Sequence, residues 1–195
     1  VTAMNEHGLA MGEIGGGGEG HWDGMPMTFL MRDIMERAKT VREAVAILQE
    51  TPRTCEYYYV ISDRSRDMVG IYATPTVLEV LEAGQQHSKL PTVPADTVMI
   101  SAPSRAKVLS ERLHKKLGAI TPEVMMEIIK RPVAMKSNLH NAIFKPATLD
   151  VWFADAGRKK IACDMPYAHV NLKKLIEFYR RTNAPAPVPA PAPAQ

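Results

Sequence analysis

The sequence predicts an α+β domain with antiparallel sheets, and three observations carry that prediction. Strand-type runs and helix-type runs arrive in groups (strands, helices, strands, helices, strands, helix), which fits segregated layers of sheet and helix and disfavours a regular βαβ alternation. Neighbouring strand runs are joined by short polar turns of hairpin length, as in "MNEHGLAM" and "ISDRSRDMVG". The helical segments carry their own start signals, so they read as separate elements packed on a sheet.

Composition sets the class. The 195 residues are enough for one domain with a core, and 46% hydrophobic with 23% charged residues is ordinary for a globular chain. Lys and Arg number 24 against 21 Asp and Glu, a net charge of +3, too mild to call for nucleic acid. The short basic clusters Arg158-Lys159-Lys160, Lys173-Lys174 and Arg180-Arg181 lack the interleaved aromatics of a single-strand platform. No apolar run approaches the roughly 20 residues that span a bilayer. Cys55 and Cys163 are the only cysteines, which argues against a disulfide scaffold or a Cys-rich zinc site and leaves a single bridge between them open.

The elements follow in order. Thr2 to Met4 and Leu9 to Met11 are strand runs, and Asn5-Glu6-His7-Gly8 supplies residues that tolerate positive φ in a hairpin turn. Val1 is not an initiator Met, and a hairpin at the first residue predicts that the chain continues an element encoded upstream. Gly15 to Gly24 is a glycine-rich loop. It lacks the Gly-Lys-Ser/Thr of a phosphate cradle, and Glu19 and Asp23 would repel a phosphate. In "MTFLMRDIMERAKTVREAVAILQET" the apolar residues keep a helical period, with Thr40 as N-cap and Glu43 three residues later, giving two helices. Met25, Met27, Met31 and Met35 read as core filling.

From Cys55, "CEYYYVISD", "MVGIYATP" and "TVLEVLEAG" read as a strand meander with Cys55 inside the first strand, and 97–101 ("TVMIS") as one strand more. Val108, Leu109, Leu113 and Leu117 make the apolar stripe of a helix that Gly118 ends, and Thr121-Pro122-Glu123 opens another running to about Lys130. "SNLHNAIFKP" and "TLDVWFADA" are two further strands, and "NLKKLIEFYRR" a final helix. The predicted domain is 1–182. Residues 183–195 form a Pro/Ala-rich, disordered tail that cannot build a core. His7, His21, His87, His114, His140 and His169 show no metal-ligand spacing, so no metal site is expected.

The segment "MNEHGLAMGE" resembles the "NEkGL" hairpin of N-terminal-nucleophile hydrolases of the isopenicillin N acyltransferase and choloylglycine hydrolase type. The resemblance extends through "GMPMTFLMRDIMERAKTVREAVAILQETPRT", "YYYVISD", "SNLHNAIFKPATLDVWFADA" and "MPYAHVNLKKLIEFY", roughly Thr2 to Tyr179, and fits the acyltransferase branch (peptidase C45-like) better than the bile-salt branch. It implies a partial four-layer αββα fold, autoproteolytic in its family. It also implies an amidase or acyltransferase chemistry: an N-terminal Cys attacks a small acyl amide or acyl thioester with its own α-amino group as base, through an acyl-enzyme and without a cofactor. That Cys is not in this chain, so the missing N-terminal segment of the same domain is expected as a partner. Thr2, inside a strand, is not expected to replace it.

Carried over residue by residue, the family's oxyanion-holding position falls at Ile14 or Gly15, where only a backbone N–H is on offer. The family's Asn on a later strand falls at Ser101, a single hydrogen-bond donor. Arg105 matches an Arg at the head of the next helix and would orient a carboxylate or the nucleophile; a plain surface charge is its other reading. The alternative function is a non-catalytic binding or structural module that retains the pocket.

Overall fold

Strand β1 (Thr2–Met4) pairs antiparallel with β2 (Ala10–Gly15), with Thr2 opposite Gly12 and Met4 opposite Ala10. A computed structural model describes residues 1–18, 22–87, 90–101 and 103–183. The turn between the strands explains the "NE.GL" pattern. Gly8 adopts φ +81°, which a side chain would strain, and a Cβ there would meet the Pro146 carbonyl oxygen at 2.9 Å. The Asn5 side chain accepts from the His7 and Leu9 amides, both at 3.1 Å. Its amide nitrogen donates to the carbonyls of Met35 (3.0 Å) and Ala38 (2.7 Å), orphan acceptors at a helix C-terminus.

That helix is α1 (Met27–Arg37), followed by α2 (Val41–Glu50). Thr40 and Glu43 close the expected capping box on α2. The meander β3 (Tyr57–Ser62), β4 (Met68–Ala73), β5 (Leu78–Glu82) completes a five-stranded sheet in the order β1-β2-β3-β4-β5. Alternation along the register sorts its side chains. Met11, Ile61 and Val69 lie in one cross-strand row and Tyr59 and Ile71 in another; they form a buried cluster with Leu30, Met31, Ile34, Ala44 and Leu48 of the helix pair. Burying each large side chain of this cluster stabilises the fold by about 1.5–3 kcal/mol. The opposite sheet face carries Thr2, Gly12, Ile14, Tyr58, Val60, Gly70 and Tyr72.

The strand expected at 97–101 is not one: these residues are extended but pair with no ladder. They lie instead across the sheet, where a Cβ on Gly70 would meet Val98 Cγ1 at 2.7 Å and Ile100 Cγ1 at 2.9 Å. Face packing satisfies their β-branched side chains as well as an edge position would. Helix α3 (Pro103–Lys115) follows, then α4 (Pro122–Ile128), whose N-cap Thr121 accepts from Val124 and whose first residue is the expected Pro. Met99, Ala106, Leu113 and Ile128 form a second, smaller core.

A three-stranded sheet, β6 (His140–Lys145), β7 (Asp150–Asp155) and β8 (Ala168–Asn171), is followed directly by α5 (Leu172–Thr182). The first two strands match the sequence reading; β8 is four residues long and was not foreseen. This sheet meets the other at the β1 hairpin. The Thr2 hydroxyl reaches His140, Gly8 abuts Pro146, and Arg180 reaches Glu6 at 3.1 Å. The tail from residue 184 lies outside the described residues, as do Glu19 and His21 of the glycine-rich loop.

Asp150 fixes the last strand pair. Its carboxylate accepts from Asn171 Nδ2 and bonds His169, both at 2.9 Å, and His169 stacks on Trp152. The hydrogen bonds, those from Asn171 and Thr148 foremost, hold its carboxyl down at about 2. A depressed folded-state pKa gives stability that is full above the unfolded value of 3.8 and is lost as pH falls through about 2. Chemical denaturation at a series of pH values checks this: Asp150→Asn is expected to flatten the stability loss between roughly pH 4 and 2. An unchanged slope contradicts it.

Candidate active site

The four positions singled out in the sequence meet in one cavity. Ile14, Gly15, Ser101 and Arg105 line a space of about 170 Å³ together with Gly16, Tyr58 and Ile100. Three elements bring them together: the end of β2, the extended segment packed on Gly70, and the first turn of α3. The cavity lies on the sheet face away from the α1–α2 pair.

The register separates the two backbone candidates. Gly16 donates to the Glu56 carbonyl at 3.0 Å, so by strand alternation Ile14 bonds toward β3, opposite Tyr58. Its N–H is therefore spent in the ladder. Glu13 donates to the Val1 carbonyl on the other side, and Gly15, two residues on, points its N–H the same way, past Val1, with no backbone partner among the described residues. Of the pair, Ile14 is the one committed to the β3 ladder.

Ser101 is half-buried, and its hydroxyl makes no hydrogen bond among the described residues. Arg105 donates to the Val133 carbonyl at 3.3 Å and has no carboxylate partner among the described residues, so most of its guanidinium fork is free. Ala106, fully buried beside it, anchors that turn of the helix. Tyr58 forms the wall: its ring lies 5.2 Å from that of Tyr72, and its hydroxyl donates to Glu56 Oε1 at 3.1 Å. Burial first, then that carboxylate, raises the Tyr58 phenol above its ordinary value, so it stays neutral. The "EYYYV" alternation signalled that Tyr58 faces away from Tyr57 and Tyr59, but nothing local signalled which face carries the cavity.

An adjoining cleft of about 470 Å³ shares Gly15 and is lined by Gly17, Gly18, Trp22, Cys55, Glu56 and Tyr57. Glu56 packs where Gly16 and Gly18 would carry side chains, so an acidic group, unsuited to phosphate, faces the described part of the glycine-rich loop. Cys55 precedes β3 and does not lie within it, because the chain bends there before the ladder starts. Cys163 is buried in a 3-10 turn (Ala162–Asp164), and both thiols are free and unbridged. Among the described residues no group of three His, Cys, Asp or Glu side chains converges as a metal site, and no helix is long and apolar enough to cross a membrane.

Comparison with known proteins bears on the fold. Residues 1–89 match the family of acyl-coenzyme A:6-aminopenicillanic acid acyl-transferase. No curated protein sequence matches the chain. Penicillin V acylase from Agrobacterium tumefaciens superposes with a TM-score of 0.58 at 13% identity, covering 89% of this chain and 66% of the acylase. A variant of conjugated bile acid hydrolase from Clostridium perfringens gives a TM-score of 0.59 at 11% identity, covering 89% of this chain and 73% of the hydrolase. At these identities the likeness shows the fold, and the chain spans just under two thirds of the acylase's length. The family match spans the β1 hairpin, the α1–α2 pair and the meander, under half of the chain, and the chain shares its fold with the penicillin V acylase and bile acid hydrolase structures.

Proposed function

We propose that the chain carries the acyl-binding side of an amide hydrolase or acyltransferase. The observation behind this reading is the convergence of three donor-bearing residues, Gly15, Ser101 and Arg105, on one cavity walled by Ile14, Tyr58 and Ile100. A carbonyl oxygen that gains negative charge during attack is received by the Gly15 N–H with Ser101 beside it. Arg105 takes a carboxylate on the substrate through its planar fork. The family's described acceptor, 6-aminopenicillanic acid, is by its name an amine that also bears an acid, and so suits this pairing.

Among the described residues that line the cavity there is no imidazole and no carboxylate. The attacking group in this reading is an N-terminal Cys thiol borne by a segment outside these residues, with its α-amine as base. Sulfur–carbon bond formation expels the amine or thiol, and water or an amine then takes the acyl group. The pocket's part is to bind, orient and polarise.

Calorimetric titration with an N-acyl glycine tests the pocket. Arg105→Ala is expected to weaken binding about 10- to 100-fold, the worth of a charge-assisted hydrogen bond. Arg105→Lys should recover only part of that, because a point charge does not copy the fork. Equal affinity for the Arg105→Ala variant and the parent chain contradicts the reading. Binding that survives even when the nucleophile-bearing segment is supplied, with no amine released, favours the non-catalytic binding module.

A further inference from the structure

We infer that Thr2, His140 and Asp155 form a hydroxyl-nucleophile triad, separate from the Gly15–Ser101–Arg105 cavity, that accepts acyl groups from activated esters. Thr2 Oγ1 lies 3.0 Å from His140 Nε2, and His140 Nδ1 lies 2.7 Å from Asp155 Oδ1. This is a nucleophile, a base within hydrogen-bond reach and a carboxylate that orients the base through its other ring nitrogen. The Asp155 bond places a proton on Nδ1 and so leaves Nε2 with its lone pair toward Thr2.

The fold explains how residues 138 positions apart meet. Asp155 and His140 are directly opposed across the β6–β7 ladder, and the β1 hairpin brings Thr2 against the start of β6. Thr2 is half-exposed, and its partner opposite on β2 is Gly12, so no side chain crowds the hydroxyl from that strand. The ladder bonds at Val1 and Asn5 point toward β2, so alternation turns the Thr2 N–H away from it, free among the described residues to receive a developing oxyanion. As a strand residue Thr2 is no terminal nucleophile, which uses its own amine as base. The structure supplies an imidazole base instead.

The steps balance. Thr2 Oγ1 bonds to the carbonyl carbon of the ester while its proton passes to His140 Nε2. The carbon–oxygen bond to the leaving group then breaks, and that group takes the proton from Nε2–H. Water, deprotonated by His140, hydrolyses the Thr2 acyl ester and restores the hydroxyl.

The test is covalent labelling of the 195-residue chain with p-nitrophenyl acetate and, separately, with a fluorophosphonate, followed by peptide mass mapping. The expected result is one adduct, on Thr2, absent in Thr2→Val and retained in Thr2→Ser. His140→Gln should slow labelling about a hundredfold. Asp155→Asn, which removes the carboxylate that orients the imidazole, should slow it as well. The proposal is overturned by a chain with native circular dichroism that takes no adduct, or by undiminished labelling in Thr2→Val. It is also overturned if Thr2→Val changes only the denaturation midpoint, which would make the contact a strap between sheets. Neither probe requires Arg105 or an added N-terminal Cys, so failure here and failure of the proposed amide chemistry are separate results.

Discussion

Replacing Asn5 by Ala is expected to destabilise the chain by about 3 kcal/mol, the sum of four hydrogen bonds at roughly 0.5–1.5 kcal/mol each in a part-buried setting. One side chain holds two structures at once. Its oxygen shapes the β1–β2 turn through His7 and Leu9, and its nitrogen satisfies the Met35 and Ala38 carbonyls at the end of α1. Asn5→Asp separates the two halves. It keeps the acceptor but sets a negative charge against carbonyls at the negative end of a helix, so it should be at least as damaging as Ala. Thermal unfolding of both variants checks this, with a fall in Tm of roughly 6–12 °C for Ala at this chain size. A loss under about 0.5 kcal/mol, the ordinary surface value, contradicts it.

Gly70→Val should disable the candidate site without touching it. Gly70 is the floor on which Val98 and Ile100 rest, with an added Cβ only 2.7 Å from Val98 Cγ1. Val98 and Ile100 are β-branched and stiff at χ1, so the clash is relieved by movement of their segment while the hydrogen-bonded sheet survives. The extended segment is lifted, and Ser101 and Arg105, which follow it, move away from Gly15. Overpacking of this kind costs about 1–3 kcal/mol. The larger effect is expected on N-acyl glycine binding, a loss of about tenfold or more, with Gly70→Ala intermediate. Parent-like affinity in Gly70→Val would show that the segment's seat on the sheet does not position the site.

Local signals made much of the fold legible. The Thr40–Glu43 capping box, the Thr121-Pro122 start and the Gly8 turn each depend on neighbours a few residues apart, and each forms as read. Segment 97–101 misleads because β-branched residues are equally at home packed across a sheet face, which only the distant Gly70 reveals. Cys55 misleads because the aromatic run after it hides where the ladder begins. Strand β8 is short and merges with the N-cap of α5 at Asn171, so its period never repeats enough to be seen. For the site, resemblance pointed to Ile14 or Gly15, Ser101 and Arg105, but only register shows that the Ile14 amide is committed to β3. The Thr2–His140–Asp155 contact has no sequence signature, since its members come from two sheets that share no strand pairing.

The most direct test of the account is a backbone-amide NMR titration of the chain with an N-acyl glycine, reading Gly15, Ser101 and the Arg105 side-chain N–H together. The account predicts that all three resonances move with one common dissociation constant, with the Gly15 amide shifting as it acquires an acceptor, while Ile14, already bonded to β3, moves least. Saturating shifts elsewhere with Gly15 and Arg105 unmoved would contradict it, because the cavity would then not be where the acyl group binds.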